Sequence, residues 1–216
     1  MGARSRWLAW LAAALVAIDV YLTLAVAPTA ANFRAPLTQR IFYYHVPAAW
    51  VAYLAFFVTA ALSALALWRD TPTRWDALAA ASAEVGTVFS LIALATGLVW
   101  ASQEFVNYSP FEDAKVISLV VLILAYFAYF ALRTGIAERD RRARLSAVYG
   151  ILAFIGVPLS YFASRASVHP DFAQADESLD PRLAIFLVYS LVAFTALYAA
   201  LVRERRELAQ REEALS

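Results

Sequence analysis

The sequence predicts an all-α, polytopic membrane protein with six transmembrane helices and both termini cytoplasmic. Three observations predict it. Of 216 residues, 62% are hydrophobic and only 16% charged, against roughly a quarter charged in a soluble domain. Six apolar stretches reach the roughly twenty helical residues that a bilayer crossing needs. The basic residues are shared unequally between the two sets of connecting segments. In lipid every backbone N–H and C=O needs an internal partner, so these stretches read as helices. The whole chain, 1–216, reads as one domain, with no linker between independent cores and no internal repeat.

The expected spans are 7–27, 50–68, 77–100, 116–132, 145–163 and 183–202. In the first, Arg4 and Arg6 precede the apolar run and Ala27-Pro-Thr-Ala-Ala31 follows it, as in a cleavable signal. The run exceeds a signal core of about 7–15 residues, so a retained anchor is expected. The second span has an alternative start close to Tyr43. Between spans two and three, 69–76 carries Pro72, and between four and five, 133–144 carries Gly135. Both suit tight turns between antiparallel helices. The tail, 203–216, alternates charge at helical spacing and reads as a solvated helix extension, with docking onto a cytoplasmic partner as the other reading.

Orientation follows from Arg and Lys. Arg4, Arg6, Arg69, Arg74, Arg133, Arg139, Arg141, Arg142, Arg144, Arg203, Arg205, Arg206 and Arg211 fall on one side, and Arg34, Arg40, Lys115, Arg165 and Arg182 on the other. Thirteen against five places the first set inside, in a cell membrane. The outer segments are then 28–49, 101–115 and 164–182.

With no cysteine, disulfides, thiolate ligands, iron–sulfur clusters and covalent heme attachment are excluded. No phosphate-binding glycine loop, metalloprotease helix motif or nucleophile elbow is present. Any ATP-driven step therefore belongs to another subunit. No basic soluble surface points to nucleic acid.

The chain has two histidines, His45 and His169, and both fall on the outer side near helix ends. Either alone reads as a structural histidine of the interfacial belt, beside Phe42, Tyr43 and Tyr44. Together they suit the two axial positions of one heme iron. They leave zinc short of ligands unless Asp113 or Asp171 supplies a third. The middle outer segment spaces Trp100, Phe105, Tyr108 and Phe111 through polar sequence and ends in Asp113 and Lys115. It reads equally as an amphipathic loop in the headgroup region or as an aromatic floor for a flat apolar ring. Arg40 and Lys115 are candidate partners for that ring's carboxylates.

The segment Arg40-Ile-Phe-Tyr-Tyr-His45-Val-Pro47-Ala-Ala resembles the signature of the cytochrome c maturation protein C family of heme-handling membrane proteins. The topology is similar too, with outer histidines after the first and fifth helices. Where the family carries a tryptophan-rich platform ending in Trp-Asp-x-Arg, this chain has Phe105, Tyr108 and Phe111, with Asp113 and Lys115 near the Asp and Arg. The resemblance implies non-covalent heme b held by His45 and His169 and passed to a heme chaperone. It implies as partners an ATP-binding cassette ATPase, its permease and a small membrane subunit, and no catalysis by this chain. No histidine lies within the other spans, which speaks against a heme conduit through the membrane centre.

Two other classes stay open: a membrane redox protein using the same histidines, and a permease or scaffold subunit without cofactor. Asp19 and Glu84 lie inside expected spans, where a charge is expensive. The sequence identifies no basic partner for either, so both read as neutral carboxyls hydrogen-bonded between helices.

Overall fold

The computed structural model describes residues 3–28, 34, 37–164 and 181–215. All regular elements among the described residues are helical. They are α1 (Ala3–Tyr21), α2 (Phe42–Trp68), α3 (Pro72–Glu104), α4 (Ala114–Thr134), α5 (Arg139–Phe154), α6 (Gly156–Ala163) and α7 (Pro181–Leu215). Six helical stretches are long and apolar enough to cross a membrane, with α5 and α6 together forming the fifth.

The ends of these helices follow from local chemistry. α1 widens into a π-helical turn over Leu22–Val26 and stops at Ala27, whose ψ of 132° is the extended conformation required before Pro28. Pro72 opens α3 at a position where its missing N–H costs nothing. Asp113 caps α4 by accepting from the backbone N–H of Lys115 and Val116, and Glu138 caps α5 in the same way. The fifth crossing breaks at Ile155, because Pro158 has no N–H to offer the carbonyl one turn earlier. α2 starts at Phe42, the earlier of the two expected starts, so His45 lies within its first turn and Pro47 inside the helix. The tail is helical to Leu215.

α2 is the central helix, packed most extensively on α3 and also against α5 and α7, while α1 lies on α7 and α4 on α5 and α6. Small residues allow the close approach of α2 and α3. Ala48, Ala52 and Ala55 meet Ala83 and Ala93 in the core, and a Cβ at Gly86 would come 2.8 Å from the Cβ of Ala55. Phe56 and Tyr126 stack at 3.7 Å in the same core. Two buried hydroxyls are satisfied by one helix carbonyl: Thr59 and Ser82 both donate to Ala55.

At the arginine-rich end, ion pairs tie helices together. Arg133 of α4 forks onto Asp76 of α3, with Nη2 to Oδ2 at 2.9 Å, and Arg144 of α5 reaches Asp70 at 2.7 Å. Asp70 turns the chain between α2 and α3 with a left-handed φ of 50°. Arg205 of α7 pairs with Glu84 of α3, which corrects the expectation that Glu84 lacks a basic partner. The pair joins residues 121 positions apart, beyond the reach of any local pattern. Asp19 is fully buried and accepts from the Ser190 hydroxyl at 2.6 Å, an α1–α7 hydrogen bond of the kind expected.

Candidate functional site

A cavity of about 290 Å³ lies where α2, α3, α4 and α6 meet the 105–113 loop. That is near the small end of ordinary ligand pockets, roughly 300–1,000 Å³. His45, Trp100, Phe105, Tyr108, Asp113 and Lys115 all line it. Six of the nine residues singled out from the sequence thus converge, one from α2 and five from the stretch 100–115.

His45 is the lone histidine of the described part of the wall. Its Nδ1 lies 2.9 Å from the Ala93 carbonyl and 3.2 Å from Thr96 Oγ1. A carbonyl only accepts, so Nδ1 carries the hydrogen and the lone pair of the neutral ring resides on Nε2. This arrangement is the usual one for a metal-ligating imidazole, whose other nitrogen is held by a backbone carbonyl.

The aromatic wall is built stepwise. Trp100 meets Phe105 edge-on at 5.5 Å, and Phe105 meets Tyr108 at 6.1 Å. Asn107, with φ of 56°, reverses the loop between them, a conformation that Asn tolerates better than most residues. The Tyr108 hydroxyl donates to Asp113 Oδ2 at 3.1 Å. Burial, then the Asp113 charge and that hydrogen bond, push the Tyr108 phenol up to about 12, so it remains a donor at neutral pH. Asp113 therefore serves twice, capping α4 and holding Tyr108.

Lys115 places a cation on the wall. Its Nζ donates to the Tyr53 hydroxyl at 3.0 Å and the Ser160 carbonyl at 2.8 Å, and it lies 5.4 Å from the Tyr53 ring centre. An imidazole, an aromatic face and a fixed ammonium group together suit a flat apolar ring that carries a metal and carboxylates.

Two of the singled-out residues stand apart, and a third lies outside the described residues. Arg40 is not on the wall; its guanidinium donates to the carbonyls of Leu24 and Ala27 at the end of the first crossing. Phe111 is 88% exposed and does not line the cavity. His169 lies outside the described residues, as does Asp171. Sequence reasoning in turn missed Tyr53, Gly97 and Tyr161, which also line the space. Gly97 had a signal available: a glycine inside an apolar helix often marks a close approach.

A family model described as Heme exporter protein C matches residues 1–216. The chain is 32% identical over 212 residues to the Heme exporter protein C of Bradyrhizobium diazoefficiens, covering 91% of this chain and 76% of that one. It is 32% identical over 198 residues to that of Rhodobacter capsulatus, covering 85% and 78%. It is 27% identical over 179 residues to that of Escherichia coli K12, covering 81% and 71%.

Proposed function

Because the chain belongs to the heme exporter protein C family, we propose that it binds heme at the outer face of the cell membrane and hands it to a heme chaperone during c-type cytochrome maturation. The cargo is non-covalent heme b, with His45 and His169 as its iron ligands. The observation that carries this reading is the shared cavity. His45, with its Nδ1 hydrogen held by Ala93, lies with Trp100, Phe105, Tyr108 and Lys115 around one space.

In this reading the aromatic side chains shield the porphyrin and Lys115 pairs with a propionate. Arg40 braces the end of the first crossing. Asp113 holds the Tyr108 edge of the platform. Ser164 lies on the wall, five residues before His169, and five residues span at most about 18 Å. That length allows a second imidazole to reach the same iron.

The chain acts as a single membrane domain that binds and transfers, without bond-making of its own. The arginine bias puts both termini in the cytoplasm. The energy source is a separate ATP-binding cassette ATPase with its permease and a small membrane subunit.

Absorbance of the full-length protein purified from membranes tests the reading. A bis-imidazole heme spectrum is expected, with heme lost in both His45→Ala and His169→Ala while the helical signal persists. Full heme retention in either single variant overturns the paired ligation. A protein that takes up no heme overturns the function.

A further inference from the structure

Ala93, Thr96 and Gly97 lie at i, i+3 and i+4 on α3, a spacing that puts them on one face of a helix. His45 of α2 packs on that face. Its Nδ1 has two acceptors there, the Ala93 carbonyl at 2.9 Å and Thr96 Oγ1 at 3.2 Å. The Ala93 carbonyl can only accept, and the Thr96 hydrogen is taken up by the helix carbonyls of Ile92 and Ala93, at 2.7 and 3.2 Å, so both groups call for a hydrogen on Nδ1.

Gly97 sets the distance. A Cβ at this position would come 2.8 Å from Cε1 of His45, 3.2 Å from Nδ1 and 3.7 Å from Nε2. The ring edge that carries Cε1 and both nitrogens thus rests where any other residue would place a side chain. Neither helix backbone yields easily, because α2 and α3 share the most extensive contact in the fold. An alanine here would have to turn the ring off its two acceptors or push the helices apart.

We propose that Gly97 and Thr96 are positioning residues for His45. Gly97 admits the imidazole edge-on against α3. Thr96, with the Ala93 carbonyl, holds it in the Nδ1–H tautomer, so that Nε2 is the nitrogen presented to a metal. The metal in this statement rests on the heme reading above, whereas the ring orientation rests on the geometry alone.

The test has two arms. In the first, the full-length apo chain is labelled with 15N-histidine. Only two histidines contribute, and His169→Asn leaves the signal of His45. The expected spectrum is a neutral ring protonated at Nδ1. Gly97→Ala and Thr96→Val are expected to shift it toward a tautomer mixture, and Thr96→Ser to restore it. A ring protonated at Nε2 in the unmodified chain, or no change in either variant, overturns the proposal.

In the second arm hemin is titrated into the same proteins. Gly97→Ala is expected to weaken binding by about 10–100-fold, the usual effect of losing a group that orients a metal ligand. The low-spin spectrum should give way to a partly high-spin one. Equal affinity and an unchanged spectrum overturn the positioning role while the heme reading stands. An unmodified chain that binds no hemin defeats the heme reading, and the first arm then decides the ring orientation. If Gly97→Ala does not fold, the Thr96→Val and Thr96→Ser pair decides.

Discussion

Tyr108 and Asp113 are joined by a 3.1 Å hydrogen bond from phenol to carboxylate, and the same carboxylate accepts from the backbone N–H of Lys115 at 2.8 Å. One side chain therefore ties the aromatic loop to the first turn of α4.

Removing this carboxylate should cost both attachments. Asp113→Ala is expected to lose about 1 kcal/mol from the helix cap alone, with a lower melting temperature in detergent. Asp113→Asn keeps an accepting oxygen and should lose less. Circular dichroism of the three proteins checks the order. Equal melting temperatures would remove Asp113 from this role.

The raised phenol of Tyr108 makes an alkaline prediction. A group held above its ordinary value favours the folded state while it is protonated. Its contribution is therefore full below pH 10 and lost as pH rises to about 12. Tyr108→Phe should delete one ionisation near pH 12, not near 10, in the ultraviolet titration of the tyrosines. It should also flatten the loss of stability across that window. A lost transition near pH 10 would contradict the half-buried, acid-facing environment.

Two of the ion pairs at the arginine-rich end should differ in worth. Asp76 and Arg133 are only 9% and 16% exposed, and breaking a buried, forked pair costs roughly 3–5 kcal/mol. Glu84 and Arg205 are 35% and 34% exposed, where a pair is worth about 1 kcal/mol or less. Asp76→Ala should therefore destabilise the bundle several times more than Glu84→Ala. Unfolding in mixed micelles measures both, and the reverse order would refute the ranking.

Asp19 predicts tolerance of a neutral substitute. Its contact with Ser190 needs an acceptor and not a charge. Asp19→Asn should stay within about 1 kcal/mol of the parent, in line with interhelical hydrogen bonds in membranes. Asp19→Leu should lose that bond and leave the Ser190 hydroxyl to the Phe186 carbonyl of its own helix. If Asn proves as damaging as Leu, the carboxylate charge itself is used.

Much of the fold was legible because its causes are local. A stretch such as 116–132 must be helical in lipid whatever surrounds it, since only an i to i−4 ladder satisfies its own backbone. Pro28 marks the end of the first crossing by holding Ala27 extended, whereas the break that Pro158 makes in the fifth is absent from the expected continuous span over 145–163. Hydropathy and proline positions therefore carried the six crossings and most of their limits.

The site was legible only by residue type. His45, Trp100, Phe105, Tyr108, Asp113 and Lys115 stood out as the chemistry-bearing residues of the outer segments. Nothing local distinguished Lys115, which reaches the cavity, from Arg40, which turns to the Leu24 and Ala27 carbonyls, or Tyr108 from the exposed Phe111. Nor did any spacing pair Glu84 with Arg205, or bring the bare backbone of Gly97 against the His45 ring. Those outcomes depend on how α2, α3, α4, α6 and α7 pack. Helix formation in lipid is settled by hydrogen bonds four residues apart, but contact between helices is settled by side-chain volume and polarity at positions tens of residues apart. Local hydrogen bonding thus sets which stretches cross the membrane, and packing between helices sets which side chains meet.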